Sequence, residues 1–113
     1  MQAIAYKGLK RNSGVGRQRV FKNMPDGTTI PLLESPSREL RDHSVEFNFG
    51  YCGSGPAQLA LAILLDVTGD PEVSLLYYQW FKEGFIATLG KSWVIEASEV
   101  REWLAKEKQE AVK

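Results

Sequence analysis

"GYCGSGPAQLALAILLD", Gly50 to Asp66, places a glycine-rich corner and the chain's single cysteine directly before an apolar run. From Ala57 to Leu65 the one polar residue is Gln58. A helix that is apolar all round must be hidden on all sides, so this stretch predicts the interior element of the fold, over about 56–66. Pro56 suits its first turn, where a missing N–H leaves nothing unpaired. Gly55 is expected as the N-cap and Thr68-Gly69 as the stop. The glycines ahead then read as a tight corner feeding a buried helix.

Upstream, "AIAYKGL" (3–9) alternates and predicts a strand, as do the shorter "RVFK" (19–22) and "TTIPLL" (28–33). "NMPDG" (23–27) between the last two is a turn: Pro25 presets φ and Gly27 accepts positive φ. Pro31 lacks an N–H, which puts its strand on a sheet edge. "ESPSRELRDHS" (34–44) reads as a connection with at most one helical turn. "VEFNFGY" (45–51) predicts a strand burying Val45, Phe47 and Phe49 on one side.

Downstream, Asp70-Pro71-Glu72 is a helix start: an Asp cap, Pro at the first position, an acid in the first turn. Val73, Leu76, Tyr77, Trp80 and Phe81 recur at helical spacing, with Trp80 and Phe81 expected in the core. Tyr78 and Phe85 fall off that stripe and are the candidate contacts to a partner or a second copy. "SWVI" (92–95) predicts a short strand. Ser98 is expected to cap a last helix that turns Val100, Trp103 and Leu104 inward and frays from 108 to 113. The order implies an α+β fold: a small antiparallel β-sheet packed by two to three helices. A single domain is expected over 1–113, strands over about 2–49 and a helical part with one short strand over about 55–107.

The chain has 113 residues, 43% hydrophobic and 25% charged, which is the composition of a globular protein. One cysteine excludes an internal disulfide and fits a reducing, cytoplasmic setting. "MQAIAYKGLKR" lacks the apolar run of a signal peptide, and "LALAILL" (59–65) is too short for a membrane span. Fourteen basic and fourteen acidic residues cancel. The basic ones crowd the start, where Lys7, Lys10, Arg11, Arg17, Arg19 and Lys22 meet no acid up to residue 22. Such a patch can hold phosphates, making Lys10, Arg11, Arg17 and Arg19 the candidate nucleic-acid contacts. Zero net charge argues instead for a solvated hairpin facing acidic helices of the same domain.

Three chemistries are open to the corner. A thiol near a helix N-terminus has its thiolate favoured, and "CGSGPAQLALAIL" faintly echoes papain-like peptidases that process bacteriocin leaders. Those carry their histidine well after the cysteine, whereas the only histidine here is His43, nine residues before Cys52. Cys52 is therefore expected as a small apolar corner residue turned toward the sheet. The backbone N–H groups of Gly53, Ser54 and Gly55 are candidate ligands for an anion. Against that, neither complete glycine-rich phosphate motif is present. One His and one Cys fall short of a structural zinc set, and Asp66 and Asp70 read as helix-end caps. No metal and no cofactor is expected.

"FNFGYCGSGPAQLALAILLDVTGD", followed by "YYQWFKEGFIATL" and "SWVIEASEVREWL", resembles an uncharacterised domain family of small bacterial, archaeal and phage- or plasmid-associated proteins. The resemblance begins at Tyr6 and Gly8 and is dense from Phe47 to Leu104, with the run GYxGSGPAQLA as its most specific part. It implies a shared fold and an origin in mobile elements, and brings no activity with it. Position 52 is not reliably cysteine in that family, which counts against a thiol enzyme. The reading that follows is a non-enzymatic binding domain with a protein partner in a phage- or plasmid-related setting. A nucleic-acid module using the basic loop is the alternative, and a hydrolase using Cys52 the third.

Overall fold

The computed structural model describes residues 3–10 and 18–112, with side chains as far as Glu110. Four strands form one antiparallel sheet: β1 (Ala5–Leu9), β2 (Arg19–Asn23), β3 (Thr29–Pro31) and β4 (Ser92–Glu96), in the order β3-β2-β1-β4. The helices are α1 (Ser35–Leu40), α2 (Ser54–Thr68), α3 (Pro71–Phe81) and α4 (Ala97–Val112), with a π-helical turn over Lys82–Ile86. The α+β expectation holds. The β2–β3 turn is built as its residues dictate: Gly27 takes φ +92°, and the Asp26 carboxylate accepts from the Thr28 N–H at 2.9 Å.

The helix read from the opening stretch is the hub. Gly55 through Leu64 are buried without interruption, and α2 packs against α1, α3, the π turn and α4. It starts earlier than expected, with Gly53 rather than Gly55 as N-cap. Gly69, at φ +65°, ends it and donates its N–H to the Leu65 carbonyl at 2.8 Å. Gly55 is required where it stands, because a Cβ there would lie 2.7 Å from the Cβ of Asn48.

Gln58 is fully buried within this helix and all its polar capacity is used. Its carbonyl accepts from the backbone N–H of His43 (2.7 Å) and Ser44 (3.1 Å). Its amide donates to Ser37 Oγ (2.8 Å) and the Arg41 carbonyl (3.2 Å). One side chain thus staples α1 and the segment after it onto α2. That staple gives 34–44, expected as a connection with at most one helical turn, a defined course and a six-residue helix.

Asp66 does not cap. Its Oδ2 accepts from the Tyr6 hydroxyl at 2.5 Å and pairs with Lys22 Nζ at 2.7 Å, fastening the end of α2 to β1 and β2. Burial pushes the Tyr6 hydroxyl well above its usual pKa, and the Asp66 bond and charge push it further. A phenol whose folded pKa is raised contributes stability that is complete below its unfolded pKa, about 10, and is lost as pH climbs above that. Tyr6→Phe is therefore expected to flatten the fall in Tm between about pH 9 and 11, read by differential scanning calorimetry. An equally steep fall in the variant would show that other groups set the alkaline limit.

Three expectations fail on packing grounds. Residues 45–49 are not a strand: Phe47 and Phe49 are buried, but Val45 is 62% exposed. Their backbone bonds are scattered, with the Phe47 carbonyl accepting from Gln18 and the Gly50 N–H donating to Ile86. On α3 the buried stripe is Ser74, Tyr77, Tyr78 and Phe81, one residue round from the stripe expected. Ser74 decides it, since its small side chain lets α3 approach α2 closely, 3.3 Å from Thr68 Oγ1. Trp80, expected in the core, is 54% exposed. Ser98 lies inside α4, which extends to Val112, rather than capping it.

Candidate functional site

Side chains alternate across a strand, so pairing assigns each strand residue to a face. Tyr6, Val20, Trp93 and Ile95 point into the core. The opposite face carries Lys7 between Phe21 and Val94, and Leu9 between Arg19 and Ser92. Leu9, Arg19 and Val94 are exposed there, and Lys7 and Phe21 half-buried. Uncovered among the described residues, this face is a shallow groove of about 610 Å³ lined by Lys7, Leu9, Arg19, Phe21, Thr29 and Val94, among others. Its chemistry is an apolar floor with two cations. The Arg19 guanidinium stands 5.8 Å from the Phe21 ring centre, over its face.

The face is held in place from behind. Gly8 lies under the Trp93 indole, where an added Cβ would fall 2.5 Å from ring carbons. Trp93 in turn meets Phe49 edge-on at 5.3 Å. The indole N–H has no acceptor among the described residues, a cost accepted for that close stacking.

The residues expected to act are dispersed. Arg11 and Arg17 lie outside the described residues. Lys10 is engaged: its Nζ donates to Asn48 Oδ1 at 2.8 Å and sits 4.8 Å over the Phe49 ring, and desolvation lowers its pKa. Of the two described candidates for phosphate contact, Lys10 and Arg19, it is Arg19 that stands exposed on the groove. Gly53 is covered by the Tyr51 ring and Gly55 by Asn48. Ser54 is exposed beside a cleft of about 300 Å³ whose charged lining residue is Glu46, an acid that opposes an anion there.

Cys52 is exposed, which corrects the expectation that it faces the sheet. His43 is turned elsewhere, with Nε2 2.6 Å from the Tyr78 hydroxyl. Burial, then the charges of Arg41 and Lys82, lower the His43 pKa. Tyr78, a candidate contact, is 1% exposed and receives hydrogen bonds from Arg41 and Gln79 on its hydroxyl. Its ring therefore cannot meet a partner. Phe85 stacks on Phe81 and meets the edge of Trp103, so it closes the core against α4.

The residues that sequence reasoning passed over are Lys7, Phe21 and Val94. The strands "AYKGL", "RVFK" and "SWVIE" were visible, although Val20-Phe21 and Trp93-Val94-Ile95 are apolar on both faces. Which face of each strand stays bare was not, because that depends on where the helices land.

The model of a family of unknown function, DUF6166, matches residues 6–106. The chain belongs to DUF6166. The match starts at Tyr6, the residue fastened to Asp66, and takes in β1 from its second residue, the other three strands and most of α4, so the groove lies inside the DUF6166 region. No curated protein and no solved structure matches the chain. Among the described residues no helix is long and apolar enough to cross a membrane.

Proposed function

We propose that the protein is a small non-enzymatic binding domain whose contact surface is the uncovered sheet face, and that its partner is a protein offering an apolar segment flanked by acids. The observation that carries this is the groove's lining, where Leu9, Phe21 and Val94 form the floor and both charged residues, Lys7 and Arg19, are cations. An apolar centre with a charged rim is the usual build of a protein contact, and the matching charge sets orientation and partner choice. The phage- or plasmid-related setting rests on the family resemblance, and the cytoplasmic one on the single cysteine.

A nucleic-acid partner is the competing reading, supported by the exposed Arg19 beside Phe21 and weakened by Lys10 being engaged with Asn48. The test is affinity capture with nuclease-treated host extract, comparing the natural chain with Lys7→Glu/Arg19→Glu. A protein held by the first and lost by at least about tenfold in the second is expected, given about 1 kcal/mol or more per reversed rim charge. Retention of the same protein by both would place its contact elsewhere. Labelled oligonucleotides in the same buffers should show no binding; a steep salt-dependent affinity would favour the nucleic-acid reading instead.

A further inference from the structure

The two edges of the sheet are not alike. In antiparallel pairing, alternate residues turn both backbone groups toward the neighbour and the rest turn them away. The β2–β3 ladder is bracketed by the bonds from Leu32 N–H to the Val20 carbonyl and from Met24 N–H to the Thr28 carbonyl. On β3, Thr29 and Pro31 therefore face outward, and Pro31 has no N–H to offer. Proline at an outward position of a three-residue strand is a common device against edge pairing.

The opposite edge has no such stop. Bonds from Ala97 N–H to the Ile4 carbonyl (2.9 Å) and from Lys10 N–H to the Lys91 carbonyl (2.8 Å) bracket the β1–β4 ladder. Period two then makes Tyr6–Ile95 and Gly8–Trp93 the bonded pairs. Ser92 and Val94 are left with N–H and C=O pointing outward, and Glu96 with its N–H, since its carbonyl stands at the start of α4. All three are exposed. β4 holds neither proline nor glycine, and Val94 at its centre is 63% exposed.

We propose that β4 is a self-association edge, pairing antiparallel with β4 of a second copy about a two-fold axis at Val94. The strand is self-complementary in that register. Val94 meets its own symmetry mate, and at each end the Ser92 hydroxyl faces a Glu96 carboxylate, which carries only a long 3.4 Å bond from Ser98 in the isolated chain. The Val94 N–H and C=O pair with those of its mate, and each Glu96 N–H with the Ser92 carbonyl of the other copy. Their side chains all lie on the uncovered face, so pairing joins two four-stranded sheets into one of eight, with the bare faces on the same side. The contact is narrow, which places the dimer among weak, concentration-dependent ones.

The test uses the full chain. Sedimentation equilibrium up to about 1 mM is expected to show a monomer–dimer equilibrium, weakened at least about tenfold by Val94→Lys, whose charges would face each other across the axis. In a Cys52→Ser background, Val94→Cys is expected to cross-link on mild oxidation or with a short bis-maleimide, since bonded antiparallel pairs hold Cα atoms about 5.5 Å apart. Val45→Cys, equally exposed and outside the sheet, should not. A chain monomeric throughout would overturn the proposal. So would a dimer indifferent to Val94→Lys in which position 94 cross-links no faster than position 45.

Discussion

Gln58→Leu is expected to lower the stability of the protein by about 3 kcal/mol and its Tm by on the order of 10 °C. The substitution keeps the apolar volume of the α2 interior but withdraws four hydrogen bonds at once. The His43 and Ser44 N–H groups and the Arg41 carbonyl lose their partner, while Ser37 Oγ keeps its bond to the Glu34 carbonyl. Each buried group left unsatisfied costs about 1–3 kcal/mol, and water reaching the half-buried His43 and Ser44 recovers part of that. Hydrogen exchange locates the effect: the amides of His43 and Ser44 should lose protection before those of α2. Unchanged Tm with those amides still protected would show that the staple is not what holds residues 41–44.

Gly8→Val is expected to cost about 3 kcal/mol, at the upper end for overpacking, despite valine's better strand propensity. Its Cβ would fall 2.5 Å from two ring atoms of Trp93 and 2.6 Å from the indole nitrogen. A tryptophan wedged edge-on against Phe49 has little room to retreat, so β1 and β4 must separate or the indole must leave the core. Coupling between the sites gives a sharp check. In the double variant with Trp93→Leu the combined loss should be smaller than the sum of the two single losses, because the smaller side chain at 93 removes the clash and the valine at 8 fills part of the space left. Strict additivity would mean that the indole does not press on position 8. Because Gly8 and Trp93 sit directly behind the groove, the same variant should also weaken any ligand of the uncovered face.

Much of the architecture was legible because it follows from local chemistry. The buried helix announced itself through nine residues with one polar member, and the Asp70-Pro71-Glu72 start could hardly be read otherwise. The Asp26-Gly27 turn was set by residues that tolerate few alternatives. The surface that the candidate site occupies was legible only in half. Period two told which residues share a face within each strand, but that Lys7, Phe21 and Val94 lie side by side came from the pairing register. Nor could period two tell that α2 and α4 would leave that face bare. The candidates drawn from residue type fared worse. Tyr78 and Trp80 exchange places relative to expectation because two helical stripes one residue apart were both apolar, and Ser74 against Thr68 chose between them.

The amino-acid sequence alone determined the elements and their ends: where proline and glycine stop a segment, where an acid caps one, and which helix had to be interior. Those are properties of a residue and its near neighbours along the chain. The tertiary structure decided which face of each element meets another, and so which cation is engaged (Lys10) and which stands on the groove (Arg19). It also decided that Gln58 is a staple rather than a blemish in an apolar helix, and that one sheet edge ends in Pro31 while the other stays open at Val94. Burial and hydrogen bonding between residues far apart in sequence depend on where whole elements pack, and no local pattern carries that information.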